Sequence, residues 1–395
     1  MADSSAPRTG PVAWRNDPKI RAFFFQALVL GSFGLFVWFI VDNTITNLER
    51  QNIASGFDFL STTAGFGIVQ TLIEYSEQSS YGRAFLVALI NTLLVSGLGI
   101  FFATIIGFLI GIARLSPNWL LSRLAAVYIE TFRNIPLLLQ ILFWYIAVLS
   151  NLPGPRNSLM LLGETGALNS RGLYLPAPVP QDGAGFVLAA FIVAIVTLLG
   201  LRYWAHRRQR ETGRQFPLFW VGSGLIIGLP LVAILLTGIP YTADIPELRG
   251  FNYRGGIRLI PELMALVIAL AIYTAAFIAE IVRAGIQSVS WGQSEAAMAL
   301  GLRPGVTLRL IIIPQAMRVI IPPLTSQYLN LTKNSSLAAA MAYPELTSVF
   351  AGTVLNQTGQ AIEVLGITMA VYLSISLVTS LAMNWYNARN ALVER

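Results

Sequence analysis

Cysteine is absent from the 395-residue chain, which excludes disulfides, thiolate zinc sites, iron–sulfur clusters and a cysteine nucleophile. Histidine occurs once, at His206, which argues against a histidine-based metal site. Lysine occurs twice, at Lys19 and Lys333, and neither follows the glycine pattern of a phosphate-binding loop. We therefore expect no catalytic residue, no metal and no cofactor in this chain. If ATP is used, another chain must bind it.

Charge is also scarce, because only 11% of the residues are charged whereas soluble domains have about a quarter. Hydrophobic residues make up 55% of the chain, and its mean hydropathy is +0.65. A water-soluble fold could not bury that much apolar surface, so the surrounding solvent must be membrane lipid. The net charge of +7 could indicate nucleic-acid binding, but in a membrane protein basic cytoplasmic loops explain it better.

About 20 apolar residues cross a bilayer as a helix. Eight stretches qualify, which predicts an all-α polytopic membrane protein with about eight transmembrane helices. They are residues 23–41, 84–113, 124–149, 185–201, 216–238, 262–283, 319–343 and 363–383.

Basic residues set the expected orientation, because cytoplasmic loops are enriched in lysine and arginine. With the N-terminus inside, the cytoplasmic segments hold seventeen basic residues and five acids, against seven and ten outside. The run from Arg202 to Arg210 is the strongest signal. We expect both termini to lie in the cytoplasm.

Three connecting segments differ in character. Residues 42–83 are polar and are expected outside, and residues 150–184 are rich in proline and glycine and are expected to be irregular. The cytoplasmic segment predicts a short helix over residues 292–301. Ser290 and Gln293 have the spacing of a capping box, and Gly301 suits the position just after the helix. Such a helix has the shape of a docking element, although a linker along the membrane surface is the alternative.

Charged groups inside a membrane need a partner or a function. Glu130 with Arg133, and Glu280 with Arg283, have i,i+3 spacing and lie near helix ends, so they are either local ion pairs or parts of a polar path. Lys333 lies in a polar run within a span, for which a place on the path is favoured.

Prolines occur within or beside predicted spans, at Pro136, Pro314, Pro322 and Pro323. They predict either kinks or broken helices that bound a binding site.

One stretch identifies a family. Glu295, Ala296, Ala297 and Gly301, then nine residues, then Ile311, Ile313 and Pro314 resemble the EAA-x(3)-G-x(9)-I-x-L-P loop of the membrane subunits of bacterial ABC importers. Isoleucine at 313 replaces the usual leucine. The flanking sequences are similar to the polar amino-acid subfamily. They are ETFRNIPLLLQ (130–140), EIVRAGIQ (280–287), WGQSE (291–295), PQAMR (314–318) and KNSSL (333–337).

The resemblance implies a type I ABC importer permease core over residues 84–384, interrupted by an inserted region at 150–260. Residues 285–318 would form the cytoplasmic coupling loop. Residues 1–83 would add a cytoplasmic tail, a further transmembrane helix and a periplasmic loop, and residues 385–395 a cytoplasmic tail. This enlarged plan is similar to the Q-type permeases of general L-amino-acid transporters, and the resemblance also implies an inner-membrane location.

The partners implied are an ATP-binding subunit that holds ATP and magnesium, a second permease chain, related but different, and a periplasmic amino-acid-binding protein. Alternating access would be coupled to the ATPase through Glu295, Ala296, Ala297, Gly301 and Pro314. An ion-coupled secondary amino-acid transporter is the alternative. A membrane enzyme is disfavoured because the acid–base residues do not cluster in the sequence.

Overall fold

The computed structural model describes residues 18–50, 55–213 and 216–390, and most of them are helical. The predicted cytoplasmic tails therefore fall largely outside the described residues. The α-helices, in chain order, are α1 (Pro18–Arg50), α2 (Tyr81–Arg114), α3 (Trp119–Asn134), α4 (Leu137–Leu142), α5 (Ala184–Thr212), α6 (Leu218–Thr237), α7 (Pro261–Gln287), α8 (Trp291–Ala299), α9 (Pro304–Thr307), α10 (Ile313–Asn334), α11 (Leu355–Thr358) and α12 (Ala361–Asn390).

Short helical segments of other pitch join or extend these helices. Three are 3₁₀-helices, at Asp58–Ser61, Pro155–Asn157 and Ser335–Met341. Three are π-helical, at Phe143–Leu149, Leu308–Ile312 and Thr347–Val354. Where they follow one another without a break, they make continuous rods such as the one from Pro304 to Met341.

Within the described residues, seven helical rods are long and apolar enough to cross a membrane, and a bent pair makes a possible eighth span. The expected number of about eight is confirmed on that count, but the third span is not a straight helix. Trp119–Asn134 and Leu137–Leu149 meet at 104°. The predicted span at 319–343 also begins earlier, at Pro304. Pro322 and Pro323 lie inside α10 without ending it.

The bend of the third span has a local cause. Ile135 is extended (φ −92°, ψ 125°), because a residue before proline avoids the helical region, and Pro136 follows it. The buried Gln140 side chain then donates from Nε2 to the carbonyls of Phe132 and Ile135, at 3.0 and 2.9 Å. These bonds satisfy carbonyls that the end of α3 leaves open.

The inserted region contains strands, so the prediction of an irregular segment at 150–184 is wrong. The strands are β1 (Leu159–Leu161), β2 (Gly166–Asn169), β3 (Gly172–Leu175), β4 (Ala177–Pro180), β5 (Tyr241–Asp244), β6 (Glu247–Arg249), β7 (Asn252–Arg254) and β8 (Ile257–Leu259). They pair antiparallel in one sheet of order β1-β2-β3-β8 and in two two-stranded sheets, β4-β5 and β6-β7. The strands are only three or four residues long, so the sequence shows its prolines and glycines more clearly than any alternating strand pattern.

The chain divides into two compact units. The first comprises Met1–Leu89 and Leu346–Ser374, and its apolar core includes Phe59, Tyr81 and Phe350. Its loop before α2 is tied down by hydrogen bonds. The Gly56 amide donates to Glu363 Oε1 at 2.7 Å, for example.

The second unit comprises Ile90–Glu345 and Ile375–Arg395. Its core is built around α7, which packs against α3, α4 and α10. Glycines allow the closest approaches. A Cβ on Gly107 would lie 2.6 Å from Ile278, and a Cβ on Gly285 would lie 2.3 Å from Ile320 Cγ1. Small residues at helix crossings are how membrane helices approach one another without a hydrophobic driving force.

Candidate coupling helix and polar path

The short helix of the predicted coupling loop is present as α8, between α7 and α9. Ser290 occupies the N-cap position as expected, but its side chain makes no capping hydrogen bond. The Gln293 amide instead donates to the Ser290 backbone carbonyl at 3.0 Å. The predicted capping box is therefore not formed.

The end of α8 has the geometry predicted for Gly301. Its φ is +70°, in the left-handed region that glycine enters without strain. The Gly301 amide donates to the Met298 carbonyl at 2.9 Å, and the Leu302 amide donates to the Ala297 carbonyl at 3.0 Å. This pair of bonds is a Schellman motif, which fixes where the helix stops.

The two alanines of α8 have different surroundings. Ala297 is buried within the chain, whereas Ala296 is exposed beside Glu295. Trp291 and Met298 also expose their side chains. Glu295 is the fifth residue of α8 and so lies beyond its first turn. One face thus packs α8 against the rest of the chain, and the other presents a carboxylate between two large apolar side chains.

The segment after α8 leads directly into a long helix. Pro304 begins α9, a π-helical turn covers Leu308–Ile312, and Pro314 lies in the first turn of α10. Proline has no amide proton to donate, so it is tolerated in the first turn of α10. The wider π-helical turn lies directly before it in the chain. Residues 300–303 form a short turn after α8, and a continuous helical segment then runs from Pro304 into α10.

The pair Glu280 and Arg283 forms an ion pair near the end of α7. Arg283 Nε donates to Glu280 Oε2 at 3.0 Å, and a second guanidinium nitrogen donates to the other carboxylate oxygen. Arg114 and Arg133 lie near enough for their charges to act on the same carboxylate. Glu280 therefore pairs with Arg283 while the charges of Arg114 and Arg133 also act on it, and these residues are called the arginine cluster.

The other predicted pair is not formed, because Glu130 and Arg133 share no ion pair among the described residues. Arg133 lies over the Phe277 ring instead, 5.2 Å from its centroid. The carbonyl of Glu130 accepts a hydrogen bond from Asn134 Nδ2 at 2.7 Å, and its carboxylate is exposed. Arg133 therefore belongs to the arginine cluster at Glu280, whereas Glu130 does not.

Lys333 is exposed on α10, and no carboxylate in the described part of the chain pairs with it. The nearby hydroxyls do not surround it as expected. Ser335 and Ser336 donate to the carbonyls of Thr332 and Lys333, both at 2.7 Å, within their own helical segment. Lys333 also lies about 20 Å further along the helix than Ile320, which contacts α7 at Gly285. The ammonium group therefore belongs to a different depth from the arginine cluster.

An exposed polar stripe runs along α10. Its five members share one helix face, because the later four follow the first by one, four, eight and eleven residues. They are Pro322, Pro323, Ser326, Asn330 and Lys333. Lipid would be a poor solvent for this face, so we expect it to adjoin protein or water.

Two buried polar residues were missed or undervalued in the sequence. Glu345 is completely buried, although its position after a span made it look like a loop residue. Asn91 is also buried, in α2, and donates from Nδ2 to the Pro344 carbonyl at 2.9 Å. The signal that the sequence offered for Glu345 was a charged residue directly after the predicted span at 319–343.

The chain is similar to membrane proteins of binding-protein-dependent transport and to two amino-acid permeases. Residues 103–391 match the family described as the binding-protein-dependent transport system inner membrane component. The chain is 57% identical to the putative amino-acid ABC transporter permease protein YhdX of Escherichia coli, over 98% of each chain. It is 55% identical to the general L-amino acid transport system permease protein AapQ of Rhizobium johnstonii, over 96% of this chain and 94% of that protein. A solved amino acid ABC transporter with histidines aligns over 78% of this chain and 95% of its own, with 22% identity and a TM-score of 0.46.

Proposed function

The chain belongs to the family of binding-protein-dependent transport system inner membrane components, and from that membership we propose that it is the transmembrane permease subunit of an ATP-driven ABC importer of L-amino acids. The two relatives of nearly full length are both named as amino-acid permeases, which supports the substrate class. Transport would proceed by alternating access. The residue-level observation that carries the coupling part of the proposal is the capped, partly anchored helix α8.

A coupling helix must be rigid, exposed on one side and fixed to the moving spans on the other. Ala297 supplies the fixed side, and Trp291, Glu295 and Met298 supply the exposed side. The Schellman motif at Gly301 prevents the helix from lengthening. Displacement of α8 by an ATPase subunit would therefore reach α10 through Pro314. ATP and magnesium would be held by that separate subunit.

The coupling role can be tested with two variants and two matched controls. Gly301→Val and Glu295→Lys should leave the chain in the membrane while they lower retention of the ATPase subunit in a pull-down and lower uptake. Gly213→Val is the control for the first, because Gly213 also ends a helix at positive φ, +69°, with open space around it. Glu211→Lys is the control for the second, since Glu211 is an exposed helical glutamate. If α8 is only a linker, all four variants will retain the ATPase and transport normally.

The polar stripe on α10 and the Glu280–Arg283 pair are proposed to face the translocation path. Their carboxylate and cationic groups complement the two charges of an amino acid. An exposed stripe in a single chain also favours a second, related permease chain beside it. Uptake into vesicles separates this importer from an ion-coupled transporter. Uptake that needs ATP and a periplasmic binding protein supports the importer, and uptake driven by an ion gradient alone would overturn it.

Both termini are proposed to lie in the cytoplasm of the cell that holds this protein in its inner membrane. The support is the bias of seventeen basic residues on one side against seven on the other. A reporter fused after Arg210 should be active only if that position is cytoplasmic. A periplasmic signal from this fusion would contradict the orientation, and a fusion after Glu164 in the inserted region serves as the opposite control.

A further inference from the structure

The last three turns of α5 carry basic residues on one face. The predicted cytoplasmic loop at 202–215 is in fact helical as far as Thr212, so these residues have fixed relative positions. Leu199, Arg202, Tyr203, His206, Arg207 and Arg210 line a cavity of about 1300 Å³, together with Trp385 and Tyr386 of α12. The cavity therefore lies between the ends of two helices that each qualify as membrane spans.

The opposite face of α5 is occupied by α6. A Cβ on Gly222 would lie 2.7 Å from Leu198, and Trp204 meets Phe216 edge to face at 5.4 Å between ring centroids. Ala205 is buried on this side. The basic face is consequently not used to hold the helical hairpin together.

The charges on the basic face are mostly uncompensated. Arg207 pairs with Glu211 at 3.0 Å, and both side chains are well exposed. Arg202 and Arg210 have no carboxylate partner in the part of the chain that the structure describes. Arginine side chains can bury their stems while holding the guanidinium at the water boundary, where it binds phosphate oxygens in pairs.

The remaining lining is amphipathic. Trp385 and Tyr386 have apolar rings with a polar edge, the residue types that line membrane–water interfaces. Leu199 lies one turn deeper in α5 than Arg202. A ligand of this cavity would therefore meet cations at one end and apolar surface at the other, as a phospholipid does and a free anion does not.

We propose that the cleft between α5 and α12 is a binding site for the headgroup of an anionic phospholipid, with Arg202 and Arg210 as the phosphate ligands. Basic pockets between membrane helices on the cytoplasmic side bind such headgroups. The site rests on the membrane placement given by the proposed function, but it does not depend on which solute is carried. Because α5 belongs to the inserted region, the site would be an addition to the transport core.

The test measures lipid bound to the protein purified with its accompanying subunits. Native mass spectrometry counts the cardiolipin that stays bound, with phosphatidylcholine as the neutral lipid and inorganic phosphate as the competing free anion. Arg202→Gln with Arg210→Gln should lower apparent cardiolipin affinity about thirty-fold, equal to about 1 kcal/mol for each arginine. Arg21→Gln with Arg123→Gln is the matched control, since both arginines are exposed near the ends of other helices.

The proposal predicts that only the cleft variant, Arg202→Gln with Arg210→Gln, loses cardiolipin. Binding of phosphatidylcholine should stay unchanged, and so should amino-acid uptake by the control variant. Equal loss in both variants would show a general charge effect and overturn the site. Displacement of cardiolipin by millimolar phosphate would identify a free-anion site instead. Loss of the ATPase subunit with cardiolipin retained would assign the arginines to a protein contact. If the unmodified protein takes up no amino acid while only the cleft variant loses cardiolipin, the transport proposal is overturned and the lipid site stands.

Discussion

Helices α7 and α6 are equally apolar, yet they have opposite surroundings. In α7, 67% of the most apolar stretch is buried inside the protein, whereas in α6 only 6% is buried. Hydropathy therefore identifies membrane helices but does not tell which of them form the core. Helix α7 buries six alanines together with leucine, isoleucine and valine side chains, whereas α6 exposes leucine and isoleucine. These alanines are Ala265, Ala269, Ala271, Ala275, Ala276 and Ala279.

The charges follow the same division. In α7, Glu280 and Arg283 lie in the packed part of the second unit, where other arginines act on them. In α5 and α6, the charges are confined to the exposed last turns of α5. The comparison suggests that the α5–α6 hairpin meets lipid, and that α7 holds the spans that move in transport.

The largest expected effect comes from filling a helix crossing of the core. Gly285→Val places a side chain where even a Cβ would lie 2.3 Å from Ile320 Cγ1. Overpacking of this kind costs about 1–3 kcal/mol or more, enough to lower abundance several-fold. Gly224→Val in α6 is the control, because nothing lies within 4 Å of a Cβ there. Immunoblots of membrane fractions compare the two, and equal abundance would remove the distinction between packed core and exposed hairpin.

A second prediction separates charge from packing within α7. Arg283→Gln leaves the Glu280 carboxylate without its closest cation, while Arg283→Lys keeps the charge. We expect amino-acid uptake to fall about tenfold for the glutamine variant, equivalent to about 1.4 kcal/mol, with membrane abundance retained. The lysine variant should keep part of the activity. Normal uptake by Arg283→Gln would reduce the pair to a local ion pair at a helix end.

Lys333 tests whether the polar stripe of α10 belongs to the core function. Lys333→Met should lower uptake about fivefold or more, equal to about 1 kcal/mol. The reason is that no carboxylate among the described residues pairs with the Lys333 ammonium group, which leaves the translocation path as its expected role. Lys333→Arg should preserve most of the uptake. A methionine variant with normal abundance and normal uptake would show that Lys333 has a structural role only.

Much of this architecture was accessible from the sequence, for reasons that differ between regions. The spans were found because lipid imposes long apolar runs, and Gly301 was found because a left-handed helix end favours glycine. The prolines predicted either kinks or broken helices, and the helix is broken before Pro136 but continues through Pro322 and Pro323 in α10. Across this bend Gln140 donates to the carbonyls of Phe132 and Ile135, a pair of contacts that the sequence does not reveal.

Other features could not be predicted because they depend on contacts between distant segments. The short strands pair residues far apart in sequence, such as Leu173 with Leu259. Glu130 and Arg133 had the correct spacing, but Phe277 offers Arg133 a ring from another helix. The assignment of core and lipid-facing helices likewise needed the positions of Gly107 and Gly285 against their neighbours.

The smallest expected effect concerns the ion pair of the hairpin. Arg207 and Glu211 are 71% and 61% exposed, whereas Arg283 and Glu280 are 28% and 34% exposed. An exposed i,i+4 pair contributes about 0.3–0.5 kcal/mol, so Glu211→Gln should leave thermal stability and uptake nearly unchanged. It frees Arg207 beside the proposed lipid site, however, so cardiolipin retention should rise slightly. A loss of uptake as large as that of Arg283→Gln would instead place the hairpin in the transport machinery, and the division between α7 and the hairpin would be wrong.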